Sequence, residues 1–90
     1  MFNYHTDPGH GWLAVKVKDA KAVGLDVRDF TSCSYKSKSG QTLYLEEDCD
    51  MTIFWEAWTK NYPGEVFWSH VRPCHTNKRH WVRSLPRIHE

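Results

Sequence analysis

The chain predicts a small α+β fold: a mostly antiparallel sheet of two or three hairpins, covered on one face by an aromatic amphipathic helix, with a short second helix nearby. Three observations carry this expectation. Apolar and polar residues alternate with a period of two on both sides of an N-terminal turn, and residues 51–58 repeat apolar side chains with a helical period. The third is ring content: five Trp, four Tyr and four Phe stand in 90 residues. A chain this short buries only about 60–65% of its unfolded surface, so large rings supply bulk that a small core otherwise lacks.

Phe2 and Tyr4 alternate with Asn3 and His5, and Leu13, Val15 and Val17 alternate with Ala14, Lys16 and Lys18. Between them Asp7-Pro8-Gly9-His10-Gly11 is turn chemistry, so the two runs predict a hairpin. Asp19 is placed to cap a short helix over Ala20 to Val23, with Gly24 free to end it at positive φ. Thr31, Cys33 and Tyr35 alternate with serines, and Leu43 to Leu45 comes after a Ser-Lys-Ser-Gly turn, predicting a second hairpin.

The clearest helix comes next. Met51, Phe54, Trp55 and Trp58 form one apolar stripe, and Glu46, Glu47, Asp48 and Asp50 crowd its start, where the helix dipole favours negative charge. Pro63-Gly64 ends it. Beyond, Val66 to Val71 and His80 to Arg83 read as extended, which predicts a third hairpin, and the last residues, Leu85 to Glu90, are expected to fray. No repeat, low-complexity tract or domain break is visible, so residues 1–90 form a single domain with an acidic body (1–62) and a basic aromatic segment (63–90).

That division is one of charge. Up to Thr59 the chain carries six Lys/Arg and nine Asp/Glu, and from Lys60 onward six and two, although the net charge is only +1. The N-terminal residues lack a basic stretch followed by an apolar one, no apolar run approaches a membrane span, and the three widely spaced cysteines do not make a disulfide framework. The expectation is an intracellular, cytoplasmic protein with reduced thiols and no membrane contact.

Four constellations could carry chemistry or recognition. His5, Asp7 and His10 offer three ligands of the kind that hold zinc, although Asp7-Pro8-Gly9 is equally an ordinary turn; with Trp12 the two histidines could instead form a contact surface at a loop tip. The Glu46-to-Asp50 run could be an acid–base pair or an acidic binding ridge, and equally a solvated helix start. His70, Cys74, His75 and His80 are zinc-type donors, but adjacent Cys74 and His75 do not both fit one tetrahedral ion. Trp68 and Trp81, interleaved with Arg72, Lys78, Arg79 and Arg83, suit an anionic ligand with flat groups, such as a single nucleic-acid strand, or a protein or dimer interface. No nucleophile elbow or phosphate loop accompanies any cysteine or serine. The expected partner-binding set is His5, His10, Trp12, Trp68, Arg72, Lys78, Arg79, Trp81 and Arg83; no catalytic residue or cofactor is expected, and a metal-dependent hydrolase built on His5, Asp7 and His10 is the minor enzymatic alternative.

The blocks His5-Thr6-Asp7-Pro8-Gly9-His10-Gly11-Trp12-Leu13 and Tyr44-Leu45-Glu46-Glu47-Asp48-Cys49-Asp50 resemble a family of small tailed-bacteriophage proteins without an assigned activity. The resemblance covers roughly the first sixty residues and leaves the basic aromatic segment outside it. It implies an accessory factor that occupies or inhibits a host macromolecule, most simply a host protein of defence or transcription, in the host cytoplasm. The alternative read from the residues is a nucleic-acid-binding accessory protein using the C-terminal segment.

Overall fold

A computed structural model describes residues 1–89. The chain folds as an α+β structure: strand β1 (Phe2–Thr6), β2 (Gly11–Lys16), helix α1 (Val17–Ala22), β3 (Tyr35–Lys36), β4 (Thr42–Glu46), helix α2 (Met51–Asn61) and β5 (Val71–His75). Single 3-10 turns lie at Val27–Asp29, Phe67–His70 and Trp81–Ser84. The sheet order is β3-β4-β2-β1-β5, antiparallel throughout except for the parallel pair β1 and β5.

The first hairpin forms as its alternation predicts, with Thr6 opposite Gly11 and Tyr4 opposite Leu13. The Asp7 side chain organises its turn by accepting from the Gly9 and His10 amides. The strand stops at Lys16, and Val17, expected to continue it, instead opens α1. Asp19 lies inside that helix rather than capping it, and Gly24 (φ 86°) takes the left-handed conformation that ends it. The second hairpin is shorter than the alternation suggests. Residues 31–34 form a turn, because Thr31 and Ser34 are drawn to the Asp50 carboxylate and leave only Tyr35 and Lys36 to pair with β4.

Period-two alternation sorts the sheet into two faces. Phe2, Tyr4, Leu13, Val15, Leu43 and Leu45 share one face, which α2 covers with Phe54 and Trp58 while Phe67 joins from the C-terminal segment. Phe2 stacks on Phe67 at 5.8 Å and meets Phe54 edge-on at 5.3 Å. The helix stripe is therefore narrower than its spacing implies: Trp55 turns outward and lies 39% exposed. Nor are the four carboxylates in the first helical turn. They occupy the end of β4 and the turn before Met51, and Asp50 is fully buried, its carboxylate held by Thr31 and Ser34.

The C-terminal part departs most from expectation. Among the described residues no third hairpin forms: Val71–His75 adds to the sheet edge parallel to β1, and His80 to Arg83 instead leads into a 3-10 turn on the opposite face. Burial of Phe67 against Phe2, Phe54 and Trp58 fixes where β5 starts along β1, and Pro73, without an N–H, is suited to the edge position. The residues expected to fray up to His89 are also docked. Ile88 is buried, its amide donates to the Ser34 carbonyl, and the Lys36 amide donates to the Pro86 carbonyl; Glu90 lies outside the described residues. Residues 80–85 thus cross the second sheet face, where Val82 and Leu85 pack with Trp12 and Tyr35, and Ile88 then joins the core of the first face.

Candidate binding face

The second face of the sheet carries Asn3 and His5 from β1, Trp12 and Ala14 from β2, Tyr44 and Glu46 from β4, Tyr35 from β3 and Arg72 from β5. The C-terminal segment covers only part of it. Trp12, only 1% exposed, lies beneath Val82 and beneath the Arg83 guanidinium, which stands 5.1 Å from the indole centroid. Arg83 in turn grips Asp7 with two bonds, Nε to Oδ2 at 2.7 Å and a terminal guanidinium nitrogen to Oδ1 at 3.0 Å.

Asp7 is the node of this attachment. Its buried carboxylate accepts from the Gly9, His10 and His80 amides as well as from Arg83. Arg83, reinforced by those amides, holds its pKa far below the usual carboxylate range, against the opposing push of burial. His80 completes the anchor: its amide donates to Asp7 and its Nδ1 accepts from the Val82 amide at 3.1 Å, capping the last 3-10 turn.

Trp81 is left outside. Flanked by two anchored residues, its ring is 53% exposed and projects over the uncovered sheet, edge-on to His5 and to Tyr44, both with centroids at 5.4 Å. His80 lies 4.9 Å from His5. Arg72 extends the strip across β1, its Nε donating to the Asn3 carboxamide oxygen at 3.1 Å. The result is a shallow, half-open platform of Trp81, Tyr44 and His5 with an exposed guanidinium at one side. Burial lowers the pKa of both His5 and His80; the facing ring and Arg72 add to the effect on His5, while Asp7 opposes it on His80. Burial likewise raises the Tyr44 phenol.

Among the sequence-predicted contact residues, the structure brings His5, Trp81 and Arg72 to this platform and leaves Lys78 and Arg79 exposed. Arg79 bonds to the Ser84 hydroxyl and the Arg83 carbonyl and, with Asp7, Gly9 and Arg83, lines a shallow cleft beside the first turn. Two expectations are corrected. Trp12 is not at a loop tip, because its alternation places it inside the second face; Arg83 is spent on Asp7 and on Trp12 rather than offered to a ligand. Trp68, 48% exposed, belongs to a different patch with Trp55, centroids 6.4 Å apart, on the side of α2. There an open groove of about 900 Å³ is lined by Val23, Ile53, Ala57 and Trp55.

The metal-type sets do not assemble as the sequence suggests. Asp7 is enclosed by five protein donors, His5 faces His80 and Trp81, and His10 turns to Glu46 with Nδ1 to Oε1 at 3.2 Å. His70 bonds to Glu65, His75 bonds to Thr6 and Asn77, and His80 sits under the platform, so the C-terminal set is dispersed too. The chain instead gathers His10, Glu46, Glu47 and Asp48, with candidate ligand atoms within 4.8 Å of one another. Two of these carboxylates already have protein donors, since the Tyr4 hydroxyl donates to Glu47 and the Asp48 amide to Glu46. Pairing of β2 with β4, which sets Trp12 opposite Glu46, makes this neighbourhood and is not visible in local spacing.

Tyr44 is the platform residue that sequence reasoning missed. Its signal lies in the alternation of the β4 strand, where Tyr44 falls opposite in phase to Leu43 and Leu45. Among the described residues no helix is long and apolar enough to cross a membrane. Comparison with protein-family models, curated proteins and solved structures finds no match.

Proposed function

We propose that this protein is a non-catalytic binding module that occupies a macromolecule through the Trp81 platform, and that the ligand fitting this face best is a single nucleic-acid strand. The observation that carries the reading is the half-exposed Trp81 ring held over an open sheet face by a rigidly anchored neighbour on each side. A solvent-facing indole so fixed offers a stacking surface with little ordering cost, and each stacked base contributes about 1–3 kcal/mol by alanine substitution. Arg72 beside it, and exposed Lys78 and Arg79 on the loop between β5 and Trp81, supply the cations that a sugar–phosphate backbone needs.

A fluorescence titration with short single-stranded oligonucleotides at several salt concentrations tests the reading. Binding that weakens steeply with salt, and about 5–100-fold on Trp81→Ala in a protein of unchanged circular dichroism, is the expected result. Absence of binding at low ionic strength removes it.

A second reading, a host-protein ligand of the kind implied by the resemblance to phage accessory factors, is favoured by the separate Trp55 and Trp68 patch. Paired exposed tryptophans suit the desolvated centre of a protein interface. Loss of a captured partner on Trp68→Ala, with oligonucleotide binding undisturbed, distinguishes this surface from the first.

A further inference from the structure

Away from the platform, the Thr31–Ser34 turn and the Glu46–Asp50 turn are joined by one buried carboxylate. Asp50 accepts from the Thr31 amide at 3.1 Å, from the Thr31 hydroxyl at 3.0 Å and from the Ser34 hydroxyl, while the Glu46 amide donates to the same Ser34 oxygen at 2.9 Å. Cys33 lies between the two residues that Asp50 holds, and Cys49 immediately precedes Asp50. The clamp therefore brings two cysteines sixteen positions apart to one wall of a cavity of about 370 Å³ that His10, Glu46, Arg83 and Arg87 also line. Both cysteines are solvent-exposed, whereas Cys74 sits on β5 with its thiol turned to the Arg72 carbonyl.

We propose that Cys33 and Cys49 are a redox-active pair that closes reversibly to an intramolecular disulfide when a low-molecular-weight disulfide is supplied. The neighbouring Cys33 thiol, with the Glu46 carboxylate, pushes the Cys49 thiol up, so the two sulfurs stand within reach of each other, and exchange opened by either thiol ends in the same disulfide. When Cys33 opens it, its thiolate attacks one sulfur of the small disulfide, expelling a small thiolate that takes up the proton Cys33 released. Cys49 then attacks the Cys33 sulfur of the mixed disulfide, gives its proton to the medium by way of Glu46, and releases the second small thiol. Two electrons pass from the cysteine pair to the oxidant, one sulfur–sulfur bond is broken in it, and one forms in the protein. Because Asp50 already holds the two turns together, closure needs no rearrangement of the sheet.

The test equilibrates the full chain with oxidised and reduced glutathione in varying ratio, followed by alkylation and peptide mass spectrometry. The expected product is a monomer two hydrogens lighter, with a Cys33–Cys49 linked peptide and Cys74 still alkylated, reversed by excess reduced glutathione. Its melting temperature should rise by roughly 5–15 °C, since the bond closes a loop of this size in the unfolded chain. In Cys33→Ser and in Cys49→Ser alike, no intramolecular link should form and the remaining cysteine of the pair should accumulate as the glutathione mixed disulfide. Separate glutathionylation of both cysteines in the unaltered chain, or a link that includes Cys74 or a second molecule, overturns the proposal.

Discussion

At the scale of single residues, Asp7 does most to decide the structure. A turn carboxylate that the sequence presents as a loop former is in the folded chain the buried partner of Arg83, seventy-six positions away. Breaking a buried pair by removing one partner costs about 3–5 kcal/mol, because the other charge is left uncompensated. Asp7→Ala should therefore lower stability by that amount in urea unfolding, and Arg83→Met by less, since the Met side chain still packs on Trp12 and the Asp7 carboxylate keeps its backbone donors. The pH dependence has a definite sign. Asp7 is depressed in the folded state, so its contribution is fully present above the unfolded carboxylate range near pH 4 and is lost as pH falls below it. His5 and His80 are also lowered, so the unfolded chain binds more protons than the folded one just below pH 6.5. Stability should thus decline as pH drops from about 7 to 5. Replacing His80 by Asn, which keeps an acceptor for the Val82 amide, should flatten that decline, as followed by urea midpoints across the range.

At the scale of elements, α2 and the C-terminal segment do equivalent work on opposite faces of one sheet. Phe54 is completely buried among Phe2 and Phe67, and truncation to Ala should cost about 3–5 kcal/mol, read by thermal or urea unfolding. The segment at residues 80–88 is short and irregular, yet it closes the Trp12 and Tyr35 cluster. A chain ended after Asn77 should lose near-ultraviolet circular dichroism and bind a hydrophobic dye, because Trp12 and Tyr35 would face water. Charge and composition alone present residues 63–90 as a sticky extension of a folded body. Phe67, Val82 and Ile88 show instead that the core is incomplete without them. Residues 66–71 and 80–83, expected to be extended, are mostly 3-10 turns, and the strand falls at Val71–His75 instead, because a short apolar run does not distinguish a strand from another buried segment.

At the scale of the whole molecule, the charge split survives folding in weakened form. Arg83 is neutralised by Asp7, and Arg87 stands over the Tyr35 ring, away from Trp81, so the cations assigned to a strand on the platform are Arg72 on β5 and exposed Lys78 and Arg79 on the loop that leads to Trp81. Three phosphate contacts predict a slope of about −2 for the logarithm of affinity against the logarithm of salt concentration on a single strand. Arg72→Ala should make that slope shallower by about 0.7 and weaken binding similarly across sequences. A slope near zero for the unaltered chain would show that charge has no part in binding. The exposed tryptophans likewise divide into two patches on opposite sides of the sheet, Trp81 on one and Trp55 with Trp68 on the other, which allows two ligands to be engaged at once.

The hairpin of β1 and β2, the helix at residues 51–61, the left-handed Gly24 and the surplus of rings over core space are set by the sequence alone, because each depends on local period, turn chemistry or composition. Only tertiary structure decided which rings are surplus. Trp12 and Trp81 are both offered by the sequence as contact rings, and their fates separate because Asp7 and Arg83 draw the C-terminal segment across the sheet, burying the first and leaving the second outside. Long-range pairs such as Asp7 with Arg83, or Asp50 with Thr31 and Ser34, leave no periodic trace in the chain. They arise from the need of a buried charge to find donors, wherever in the sequence those donors stand.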